Sequence, residues 1–83
     1  MNIEQLRKEI DKLDAEIATL LDKRTSIAQE IAKLKKADDM PAYTPDREQK
    51  ILDNVSHYAQ TLDKGSMRQI YEFILAVTRK QIS

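Results

Sequence analysis

The sequence predicts an all-α fold, a three-helix protomer with one very long N-terminal helix. Three observations carry this. Apolar residues recur in alternating steps of three and four from Ile3 to Leu34, the pattern of a helix packed on other helices. No glycine or proline interrupts the chain from Asn2 to about Ala37. Beyond that point Pro41, Pro45 and Gly65 divide the remainder into two shorter helical stretches, and no period-two pattern survives inspection. Phe73 to Val77 is an apolar run, but it continues a helical stripe.

The first helix is rich in Glu, Lys, Leu, Ala, Ile and Gln, all strong helix formers. Its seam runs through Ile3, Leu6, Ile10, Leu13, Ile17 and Leu20, then Ile27, Ile31 and Leu34. At ~1.5 Å per residue, roughly 35 residues make a rod of ~50 Å. A compact domain of this size has a radius of gyration of only ~12 Å. The residues that follow are too few to cover such a rod, so its seam is expected to meet a second chain. A two-fold homodimer is the simplest closed arrangement.

Asp38 to Tyr43 reads as a polar connector. Thr44-Pro45 reads as a helix start, with a capping hydroxyl followed by proline at the first helical position. The second helix carries Ile51, Leu52, Val55, Tyr58, Ala59 and Leu62, with Gly65 expected to stop it. Ser66 is then expected to cap a third helix whose apolar set is Met67, Ile70, Tyr71, Phe73, Ile74, Leu75 and Val77.

With 83 residues, the chain is read as one domain, 1–83. Fourteen basic and 14 acidic residues balance, which argues against nucleic-acid or membrane attraction. There is no cysteine, hence no disulfide and no thiolate nucleophile. No secretory or membrane-spanning run is visible, and a cytoplasmic location is the expectation.

One beat of the seam is wrong. Arg24 stands where an apolar residue belongs, and a guanidinium is rarely buried without a partner. Either a protein carboxylate meets it, with Asp14 and Glu16 of a partner helix as candidates, or an anionic ligand does. Lys35 is eleven residues further on and returns to within ~20° of the same face. Arg7 lies beside the seam, ~25 Å back along the rod. In an antiparallel dimer, Arg7 of one chain reaches the Arg24–Lys35 region of the other, which predicts two shared sites. Arg47 and Glu48 lie in the first turn of the second helix, where the acid suits the helix dipole and the cation does not. Arg47 is better explained by an anion. Thr78 falls on the inward stripe of the third helix, near Gln81; a hydroxyl there often bonds back to its own helix. Taken singly, each cation has a solvated or register-setting reading. Together they ask for anions on one surface.

Absences narrow the chemistry. The lone histidine, His57, reads as a surface residue. There is no metal-ligand spacing, no glycine-rich phosphate loop, and no nucleophile beside a base. The expected reaction needs no metal, no cofactor and no covalent intermediate. Fixed cations suit a dianion that rearranges internally, held in a reactive conformer while developing charge is stabilised.

The ordered set of segments Leu6–Asp14, Leu20–Arg24, Ile27–Lys35 and Tyr43–Glu48 resembles the all-helical AroQ class of chorismate mutases over nearly the whole chain. The resemblance implies an intertwined helical dimer. It also implies the pericyclic Claisen rearrangement of chorismate to prephenate, in aromatic amino acid biosynthesis leading to phenylalanine and tyrosine. By that analogy Arg24 and the partner's Arg7 bind the two substrate carboxylates. Lys35 reaches a carboxylate and the ether oxygen, Glu48 accepts from the ring hydroxyl, and Arg47 supports the anion site. Thr78 takes the place of a family serine.

Two positions depart from the family. Thr44 stands where an acid is common near the ring hydroxyl. Ile82 stands where a glutamine usually donates to the ether oxygen. Gln81 is its neighbour and is expected to take that role if the last turn tightens. Two rivals share these residues. One is an isochorismate-pyruvate lyase on the same scaffold. The other is a non-catalytic helical regulatory or interaction module.

Overall fold

A computed structural model describes residues 1–41 and 43–83 of the chain. Three helices follow in order: α1 (Ile3–Ala37), α2 (Pro45–Ser56) and α3 (Lys64–Ile82). No strand occurs among the described residues. None of these helices is long and apolar enough to cross a membrane.

The 35-residue rod begins with a reciprocal cap. Asn2 Oδ1 accepts from Gln5 N at 2.9 Å, and Gln5 Oε1 accepts from Asn2 N at 3.0 Å. At the far end Asp39 adopts φ 56°, a left-handed conformation that Asp tolerates, and Met40 N donates back to Lys35 O at 2.7 Å. This turn sends the connector back toward α1 instead of away from it.

α3 packs on both α1 and α2, so the three helices meet around α3. Leu75 is the one fully buried apolar side chain among the described residues. On α1 the half-covered positions are Arg24, Thr25, Ala28, Ala32 and Lys35, in the C-terminal half only. The small Ala28 and Ala32 let α3 approach there. Every residue from Met1 to Lys23 is exposed, and the seam itself stays open, with Ile10 56%, Ile17 54% and Leu34 68% exposed. A second open apolar row, Ile70, Phe73 and Val77, lies on α3. The chain exposes 7027 Å². A compact monomer of this mass exposes ~5,100 Å². The radius of gyration, 15.8 Å, likewise exceeds that of a compact domain, and the longest axis is 55 Å.

The boundary between the second and third helices differs from the sequence reading. α2 stops at Ser56, so Tyr58, Ala59 and Leu62 lie outside it, and Gly65 sits within the first turn of α3 without a positive φ. The cap of α3 is Asp63, not Ser66: Asp63 Oδ1 accepts from Ser66 N and Oδ2 from Ser66 Oγ, both at 2.8 Å. A carboxylate suits the positive end of a helix better than a hydroxyl does, which moves the start three residues upstream. Replacing Gly65 by Ala is therefore expected to stabilise the fold by about 0.5–1 kcal/mol, read from urea unfolding. An added Cβ would meet nothing nearer than Asp63 Oδ1 at 3.4 Å. A left-handed, helix-stopping glycine would give the opposite sign.

Arg68 of α3 clasps Asp53 of α2 at 2.9 Å. The Arg68 hydrogen bond holds the Asp53 carboxyl below its ordinary value of 3.8, and the Ser66 backbone N–H does the same for Asp63. Both groups are lowered in the folded state, so both contribute stability that is complete above the ordinary carboxylate value. That stability is lost as pH falls through the lowered folded-state values. Thermal melts should show Tm falling from about pH 4 downward, with a shallower fall in the Asp53→Asn, Asp63→Asn double variant.

Candidate active site

Between α1, α3 and the start of α2 lies a partly open cleft of about 260 Å³. Its floor is apolar, from Ile27, Ile31, Ile51 and Leu75. Four cations line it, Arg24, Lys35, Arg47 and Arg79, against one carboxylate, Glu48. Such an excess of positive charge over a low-dielectric floor favours a small polyanion.

Each cation is placed by a specific element. The ~100° helical step brings Arg24 and Lys35 of α1 into the same cleft, as their spacing predicts. Arg24 Nη1 donates to Thr78 Oγ1 at 2.9 Å, and Thr78 Oγ1 donates in turn to Ile74 O at 2.8 Å. Thr78 thus bonds back to its own helix and still orients Arg24. Lys35 Nζ donates to Thr44 Oγ1 at 3.2 Å. Thr44 occupies the N-cap position of α2 but its hydroxyl makes no capping bond; it faces Lys35 instead. Arg47 lines the cleft and is exposed. Among the described residues, none of Arg24, Lys35 and Arg47 has a carboxylate within ion-pair distance.

Two expected residues are elsewhere. Arg7 lies in the exposed half of α1, its side chain 70% accessible, paired only with Glu4 at 3.2 Å. Within one chain it does not reach the cleft. Gln81 is exposed and lies beside Gln29, Lys33 and Lys36, whereas Ile82 lines the cleft. The last turn of α3 stays α-helical through Ile82, so it does not tighten to bring Gln81 inward. The structure also adds a residue the sequence reading missed. Arg79 of α3 pairs with Glu48 and lies over the Tyr43 ring, 5.4 Å from its centroid. Its signal was available: it falls four residues after Leu75, a cation on an apolar stripe, as Arg24 is.

Fold and cleft together define an all-helical scaffold carrying a cation-lined site for a small anion. The chain belongs to the type II chorismate mutase family, whose model matches residues 6–82. It is similar to the bifunctional chorismate mutase/prephenate dehydratase of Aquifex aeolicus, 32% identical over 81 residues, covering 98% of this chain and 22% of that protein. A chorismate mutase of Methanocaldococcus jannaschii is 35% identical over 51 residues, covering 61% of this chain and 52% of that one. The chain thus spans between a fifth and about half of these relatives' lengths. Among solved structures, a form II chorismate mutase from Thermus thermophilus superposes with a TM-score of 0.90 at 29% identity, covering 94% of this chain and 90% of that one.

Proposed function

We propose that two copies of this chain form a dimer that rearranges chorismate to prephenate. One observation carries the reading: Arg24 and Lys35 line a single cleft, and neither has a protein carboxylate as partner. Chorismate is a dicarboxylate with an ether link and a ring hydroxyl, and each has a counterpart here. Arg24 and the partner's Arg7 take the carboxylates, and Thr78 holds Arg24 in place. Lys35 spans a carboxylate and the ether oxygen. Glu48 accepts from the ring hydroxyl, Arg47 adds positive potential, and the Thr44 hydroxyl steadies Lys35. Ile82, not Gln81, faces the ether region, so Lys35 is the donor left to polarise that oxygen.

The reaction is unimolecular. One C–O bond breaks as one C–C bond forms, and no proton moves. Catalysis then has two sources: holding the substrate in the folded conformer that brings the reacting carbons together, and stabilising the negative charge that grows on the ether oxygen. Lys35 serves the second without a proton transfer.

The dimer is supported by the open apolar rows of α1 and α3. The excess over a compact monomer is ~1,900 Å² per chain, the size of an obligate interface. The open side of the cleft is where a partner's Arg7 would enter.

The test is to incubate the purified chain with chorismate and, separately, with isochorismate. Prephenate from chorismate is the expected product. Salicylate and pyruvate from isochorismate instead would favour the lyase. Turnover of neither, with no rise in Tm on adding a dicarboxylate analogue, would favour the interaction module.

A further inference from the structure

Arg79 is the cleft cation that already has a carboxylate, and it is bound by two neighbours at once. Its guanidinium donates to Glu48 Oε1 and lies 5.4 Å from the Tyr43 ring centroid. The Glu48 side chain is 20% accessible and that of Arg79 41%. One residue near the end of α3 therefore joins the first turn of α2 to the connector that leads into it. A guanidinium does this because its edge donates hydrogen bonds while its flat face stacks on a ring; an ammonium does not combine the two.

We propose that Arg79 is a positioning residue: it captures Glu48 and so keeps the cleft's only carboxylate off the cations that receive the substrate. The proposal rests on the chorismate reading of the cleft. The carboxylate shares the cleft with Lys35 and Arg47 and sits one residue after Arg47. Freed from Arg79, it pairs with one of them, and that cation is lost to the ligand. Held by Arg79, it keeps a second oxygen for the ring hydroxyl, while three cations remain unpaired. The Tyr43 stack limits the guanidinium to this orientation.

The contribution is to binding, made equally in the ground and transition states, so it falls on KM. R79A is expected to raise KM for chorismate on the order of tenfold, a size within measured couplings between touching side chains, with kcat changed less than about twofold. In an E48Q background the same substitution should change KM by less than about twofold, because the competing carboxylate is gone. R79K, which keeps the charge but not the stack, should recover part of the loss. Melting temperatures of the same four proteins (wild type, R79A, E48Q and the double variant) form a second cycle, and these should be non-additive. An equal KM loss in both backgrounds, or no loss in either, overturns the proposal. Additive melting temperatures overturn the pairing itself. If wild type forms no prephenate, the chorismate reading fails, and the positioning role falls with it even where the melting cycle upholds the pair.

Discussion

Lys35→Ala and Arg24→Ala are each expected to lower kcat for chorismate by about 10²–10³-fold, the cost of removing one preorganised donor from a developing oxyanion. Folding should survive both. Neither side chain pairs with a protein carboxylate, so neither substitution leaves an acid unpaired. The groups each one leaves are hydroxyls: Thr78 keeps its bond to Ile74 O, and Thr44 is only half-buried. Four cations share a small cleft, so removing one relieves repulsion as well as losing contacts. The helical CD signal should be unchanged and Tm should hold or rise slightly. A cation kept for stability behaves otherwise: its removal lowers Tm and activity in parallel. Measuring kcat, KM and Tm on the same preparations separates the two, and a Tm loss that tracks the activity loss would assign these residues to the fold.

The prediction has a particular shape because Arg24 and Lys35 are legible in the sequence while their surroundings are not. Helical periodicity is a one-dimensional property, so the misplaced cation at Arg24 and its return at Lys35 can be read from spacing alone. The long rod follows from the same pattern, with no Gly or Pro to break it. What faces the rod does not follow. The covered stripe of α1 is Arg24, Ala28, Ala32 and Lys35, where small side chains admit α3, and the apolar seam lies to one side of it. Periodicity finds both stripes but does not say which one its own chain covers. The α2–α3 boundary fails for a local reason. Gly65 and Ser66 carry ordinary stop and start signals, but Asp63 lies close enough to capture the Ser66 N–H and hydroxyl, and a charged cap prevails. The pairing of Arg79 with Glu48 joins residues 31 apart in sequence, a separation at which single-sequence patterns carry no information.

The second large effect concerns Arg7. Arg7→Ala and Arg24→Ala homodimers should each be nearly inactive, and a mixture of the two should regain activity. Arg7 and Arg24 are seventeen residues apart on one straight helix, ~25 Å, so no small ligand touches both from the same chain. If each site takes Arg24 from one chain and Arg7 from the other, a heterodimer holds one site with both variants and one site with neither. Random exchange makes half of all dimers mixed, and half of their sites intact, so recovery should approach roughly a quarter of wild-type turnover. Loss of the native Arg7 contact does not confound the result: its exposed ion pair with Glu4 is of the kind that contributes ~0–1 kcal/mol. Exchange can be verified by mass spectrometry with one chain isotopically labelled. Mixed dimers that form and stay inactive would place Arg7 outside the site, and the cleft would then have to be completed by its own chain.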